Sequence, residues 1–121
     1  MHLIKAAEAP RFELPHAQFS GMAAPSRGSS QLCTWQLTVP PNQAAGPAHT
    51  IDRDEVFMLI SGALEISGQL LGPGDALVVP AGSPISVGNP GAEPAVAHIA
   101  VPAGFEATMA DGSKLSPPWA R

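Results

Sequence analysis

Proline and glycine interrupt this sequence so often that no long helix fits into it: 14 prolines and 12 glycines are spread over 121 residues. Between them lie short segments with strand patterning. Cys33-Thr34-Trp35-Gln36-Leu37-Thr38-Val39 alternates apolar and polar residues without an error, which gives an extended chain one apolar face, and Pro40-Pro41 ends it. Glu55 to Ile60 is a second strand, Ala63 to Ser67 a third and Ala76 to Val79 a fourth, the last announced by the turn Gly72-Pro73-Gly74-Asp75. Pro84 to Val87 and Ala95 to Val101 follow on either side of Asn89-Pro90-Gly91. Turn signals recur at roughly 8–12 residue spacing with no amphipathic helix between them, so the expected fold class is all-β, a sandwich or closed barrel.

The chain has the length of one domain. Residues 1–30, rich in Pro, Ala, Ser and Gly, read as an N-terminal arm with an edge strand around Phe12 to Leu14; residues 31–108 form the β-domain and 109–121 a tail. In that tail Trp119 is either an anchor that docks the segment or an exposed aromatic. The strand Glu55–Ile60 is apolar on both faces, with Phe57 and Leu59 on the Glu55 side and Val56, Met58 and Ile60 opposite. One face lines the interior, so the other calls for a cover from the arm or a second subunit, and a homodimer is expected.

Composition excludes several classes of function. Net charge is −4 with six Lys and Arg spread singly, which lacks the basic footprint of a nucleic-acid or anionic-membrane binder. The start of the chain has neither a secretory leader nor an apolar run of spanning length, and a cytoplasmic protein is expected. The lone cysteine, Cys33, rules out an intrachain disulfide and reads as a small buried hydrophobe. No phosphate loop, nucleophile elbow or Ser/His/Asp arrangement is present.

The segment His49-Thr50-Ile51-Asp52-Arg53-Asp54-Glu55, followed by Gly62, resembles the first motif of the cupin family, in which a His-x-His pair is followed by a glutamate and then a glycine. His49, Glu55 and Gly62 are in register, and Ile51 stands where the second histidine belongs. Gly74, Pro80, Gly82 and Asn89 match the second cupin motif, with Ile85 in place of its histidine. Val101-Pro102-Ala103-Gly104-Phe105-Glu106 also resembles the end of many small cupins, so the likeness runs over residues 33 to 106. It implies a double-stranded β-helix, the jelly-roll barrel, with a degenerate metal site.

Residues two apart on a strand point to the same face, so a His-x-His pair presents two imidazoles side by side. With a glutamate and a third histidine it makes a nitrogen and oxygen site suited to Fe, Mn, Ni, Cu or Zn. Isoleucine offers no lone pair, and His49 with Glu55 falls short of the three protein ligands a catalytic metal generally keeps. No cofactor is therefore expected. The apolar replacements dry the site, which raises the cost of a lone Glu55 carboxylate and points to a hydrogen-bonded pair with His49.

Three readings follow. In the first, the barrel binds a small, largely apolar molecule, with His49 and Glu55 as catalytic or anchoring polar pair. Ile51, Phe57, Leu59, Ile85 and Val87 then supply the hydrocarbon wall, with Gln36 and His98 as further lining; a metal-independent isomerase or cyclase fits this description. In the second, His49, Glu55 and His98 hold one transition-metal ion for an oxygenase or isomerase. In the third the barrel is a non-catalytic sensor or scaffold. Gln36 and Thr38 face either the cavity or solvent, and Asp52-Arg53-Asp54 reads as a solvated turn.

Overall fold

A computed structural model describes all 121 residues. Twelve strands occur in chain order: β1 (Arg11–Leu14), β2 (Ala17–Gly21), β3 (Leu32–Val39), β4 (Thr50–Ile51), β5 (Glu55–Ser61), β6 (Leu64–Ile66), β7 (Gln69–Leu71), β8 (Ala76–Val79), β9 (Val87–Gly88), β10 (Ala95–Pro102), β11 (Ala107–Thr108) and β12 (Lys114–Leu115). Only three single-turn 3-10 segments interrupt them, at Ala6–Glu8, Pro25–Arg27 and Pro118–Ala120. The all-β class is as expected, and no helix is long and apolar enough to cross a membrane.

The larger sheet has the order β1-β2-β3-β10-β5-β8, antiparallel throughout; the two smaller ones run β12-β11-β4 and β7-β6-β9. Alternation along β3 buries Cys33, Trp35, Leu37 and Val39, and β10 buries Ala95, Ala97, Ile99 and Val101. These meet Glu55, Phe57 and Leu59 of β5 on the same inner face, and Leu64, Ile66, Leu71, Ile51 and Ile85 close the core from the other side. Pairing each strand with its neighbour satisfies the backbone, while the period of two sorts hydrocarbon inward.

Several boundaries differ from the reading above. The arm is a hairpin, not a single edge strand: β1 and β2 pair through Phe12↔Phe19 and extend the large sheet beyond β3. Ala63–Ser67 shortens to β6, with a further strand, β7, across the Ser67-Gly68 turn, where Ser67 itself takes φ 49°. Pro84–Val87 is mostly irregular, and only Val87 and Gly88 form a strand. The arm does not cover the outer face of β5 as a second layer, so Ile60 and Val78 remain exposed, Val78 by 59%.

Asn89, fully buried, shows what the second motif's asparagine does here. Its amide nitrogen donates to the carbonyls of Val39 (3.2 Å) and Glu93 (2.8 Å), and its Oδ1 accepts from the Gly91 amide (2.9 Å). Its backbone exchanges two hydrogen bonds with Gln43. One side chain thus ties the end of β3 to the turn before β10.

The C-terminal segment is an anchored strap. Trp119 stacks on Phe19 at 3.8 Å between ring centroids, with Phe12 and Trp35 at 6.1 and 6.4 Å. The Arg27 guanidinium donates to the carbonyls of Trp119 (2.7 Å) and Met22 (2.6 Å), and the Ser26 hydroxyl donates to the Arg121 carbonyl. The Cys33 thiol, wholly buried and raised in pKa by that burial, donates to the Ala120 carbonyl at 3.3 Å.

Candidate functional site

The two motif segments are hydrogen-bonded to each other. His49 and Ile85 face each other as an antiparallel bridge, His49 N–H to Ile85 O at 3.0 Å and Ile85 N–H to His49 O at 2.7 Å. Two residues on, the Gly82 amide donates to the Ile51 carbonyl at 2.8 Å. Directly opposed residues carry their side chains on the same face, about 4.5–5.5 Å apart at Cβ. The isoleucine of the second motif therefore stands beside the histidine of the first, with Ile51 two residues along the same segment. Ile51 and Ile85 are both buried.

Glu55 opens β5 opposite Val79. It is 2% exposed, and its Oε2 has no hydrogen-bond partner. Burial in hydrocarbon disfavours the charged form and pushes the carboxyl up to about 8. His49 is half-buried, and desolvation lowers its pKa. At neutral pH the site thus holds an un-ionised carboxylic acid and an uncharged imidazole. The expected hydrogen bond between them does not form. His49 is held by its backbone to Ile85, Glu55 lies at the head of another strand, and a neutral acid needs no cation beside it.

Phe57 and Leu59 follow Glu55 inward and are buried in the core; Val87 is half-buried on β9. Gln36 and His98 are not part of this site. They are cross-strand partners whose side chains point outward, opposite to Trp35, Leu37, Ala97 and Ile99, and the His98 ring nitrogen lies 3.4 Å from Gln36 Oε1. The ligand set His49, Glu55 and His98 is therefore not assembled, because a period of two sends His98 through the far side of the sheet. No cluster of three or more His, Cys, Asp or Glu side chains is placed to hold an ion. With hydrocarbon at two of the four motif positions and His98 turned away, the donor set does not fit a mononuclear transition-metal centre.

Asp52 and Asp54, expected as a solvated charge run, are exposed but fasten the site's edges. Asp54 Oδ1 accepts from the Ala81 amide (2.9 Å) and Asp52 Oδ1 from the Glu106 amide (2.8 Å). Two concavities of about 340 and 310 Å³ open on the outside of the fold, and neither is lined by His49, Ile51, Glu55 or Ile85. The larger gathers Arg11, Ser20 and Met22 with Gln36, Met58 and His98. The first three were not singled out in the sequence; a second strand of the arm had to be recognised to bring them there.

The sequence profile of the family described as "Cupin domain" matches residues 35–102. Among solved structures, the polyketide cyclase RemF from Streptomyces resistomycificus superposes with a TM-score of 0.74 at 13% identity, over 84% of this chain and 79% of that one. An RmlC-like cupin protein from Ralstonia eutropha JMP134 gives 0.75 at 11%, over 97% and 78%. A sugar phosphate isomerase from a cupin superfamily, from Silicibacter pomeroyi DSS-3, gives 0.70 at 18%, over 90% and 82%. No curated protein matches the chain.

Proposed function

The chain belongs to the cupin family, and from that premise we propose that it binds a small, largely apolar molecule which His49 and Glu55 work on by proton transfer without a metal. The observation that carries this reading is the buried carboxyl of Glu55, without a hydrogen-bond partner and un-ionised at neutral pH. For a carbonyl compound, His49 takes the proton from the adjacent carbon while Glu55 delivers its own to the oxygen, giving the enol and leaving imidazolium and carboxylate. Reversal with the protons placed elsewhere completes an isomerisation; attack of the enol on a second carbonyl closes a ring. The protein is further proposed to be cytoplasmic and to pair as a homodimer through the exposed Ile60 and Val78 face.

Exchange of α-protons for deuterium in a panel of small cyclic and aryl ketones, followed by NMR, tests the chemistry. The wild type is expected to accelerate exchange for at least one probe, and His49→Ala and Glu55→Gln to lose about 100-fold or more. Activity should fall in acid as His49 protonates and again above about 8 as Glu55 ionises. Absence of exchange, with no probe raising the melting temperature, would reject the proposal in favour of a scaffold. The burial of Ile51, Phe57, Leu59 and Ile85 in the core favours that second reading.

The double substitution Ile51→His with Ile85→His probes the site's geometry. Beside His49 and Glu55 the two introduced imidazoles complete a four-ligand set, and the variant is expected to bind close to one equivalent of Ni or Zn where the parent binds none. Metal content by mass spectrometry checks it; a folded variant without metal would mean that these four positions do not converge.

A further inference from the structure

We propose a second binding site on the outside of the large sheet, away from His49 and Glu55, for a small amphipathic carboxylate. One row of side chains crosses five strands there in register: Arg11↔Ser20, Ser20↔Gln36, Gln36↔His98 and His98↔Met58. All belong to the outer face, and all line the concavity of about 340 Å³, within the roughly 300–1,000 Å³ of small-molecule sites. Ala6 and Ala9, from the 3-10 turn and its end, wall one side together with Met22.

The row is graded along its length. At one end stands the Arg11 guanidinium, which has no acidic partner: the single ion pair of the protein joins Lys114 to Glu106, and Glu13, next on the same face of β1, does not bond it. Ser20 offers a hydroxyl, and the Gln36 amide with the His98 ring forms a polar middle held together at 3.4 Å. At the other end Met58 provides flexible apolar surface, and Met22, just beyond Ser20 on the arm side, adds a second thioether to the wall. Strands lie about 4.8 Å apart, so the row from Arg11 to His98 spans about 14 Å. An unpaired arginine, hydrogen-bonding groups beyond it and a thioether-lined end match an elongated molecule with a carboxylate head, which arginine takes through paired N–H donors.

Hexanoate and phenylacetate, with their uncharged amides as controls, test the site on the full chain labelled at the methionine methyls. The acids are expected to shift the Met22 and Met58 signals saturably and leave Met109 unmoved, with the amides at least about tenfold weaker. Arg11→Gln should weaken hexanoate about tenfold or more without changing the melting temperature, since Arg11 is exposed and makes no internal bond. Equal binding of acid and amide, or an unchanged affinity in Arg11→Gln, would overturn the proposal. So would Met22 and Met58 signals that both move with protein concentration and ignore both acids, which would extend the pairing proposed at Ile60 and Val78 over the whole row and leave no room for a ligand.

Discussion

Glu55→Gln is expected to stabilise the protein at neutral pH, by on the order of 2–3 kcal/mol. The folded carboxyl titrates at about 8 against an ordinary 4.5, so between those values the native state holds a proton that the unfolded chain has released. Where the native state binds more protons, stability falls as pH rises. Each unit costs about 1.4 kcal/mol, so about 3 kcal/mol is gone by pH 7 and the loss is complete above about 8. His49 acts with the opposite sign. Its lowered pKa makes the unfolded chain the better proton binder below about 6.5, where stability rises with pH and offsets part of the Glu55 slope. Between about 6.5 and 8 Glu55 acts alone. Glutamine cannot ionise and should flatten that stretch. Urea denaturation at half-unit steps from pH 5 to 9 decides it: parallel curves for parent and variant would mean that Glu55 is charged in the folded protein.

Gly62→Val is expected not to yield folded protein, a loss of at least about 4 kcal/mol, whereas Gly82→Val should cost about 1–2 kcal/mol. Both glycines belong to the family motifs and both have left-handed backbones, with φ of 81° and 82°. Their surroundings separate them. A Cβ on Gly62 would lie 2.5 Å from the Pro94 carbonyl oxygen and 2.9 Å from Ala95 Cα, both backbone atoms at the start of β10. A Cβ on Gly82 would meet nothing within 4 Å, so only the backbone conformation resists a side chain. Both substitutions strain the backbone, and the heavier folding damage falls on Gly62. Soluble yield and urea midpoints for the two variants check the ranking.

What could be read from the residues alone follows from how local each signal is. β3 and β5 were legible because alternation and flanking turns lie within the segments themselves, and the pairing of His49 with Ile85 was implicit in two motifs of fixed spacing. The facing of β10 was not. Val96, His98 and Ala100 look as apolar as Ala95, Ala97 and Ile99 apart from one imidazole, and only the pairing of His98 with Gln36 on the polar side of β3 fixes which set points out. The same gap hid the outer row, which five strands build from residues as distant as Arg11 and His98. The strap was legible only as one of two alternatives, Trp119 as anchor or as exposed aromatic, for a related reason: Pro117-Pro118-Trp119 has no periodicity, and its partners Arg27, Phe19 and Phe12 lie 92 to 107 residues earlier. The missing hydrogen bond of Glu55 is a matter of side-chain geometry that spacing does not encode.

That strap sets the order in which the molecule can be finished. A ribosome delivers Phe12, Phe19 and Arg27 early, but the indole that covers the two rings and the carbonyls that receive the guanidinium come only with residues 119–121, Trp119 standing 107 positions after Phe12. Until then the hairpin of the arm carries bare aromatic surface on a growing chain, the condition in which nascent proteins aggregate or engage chaperones. A chain released a few residues early would have every strand of the barrel and still lack its closure.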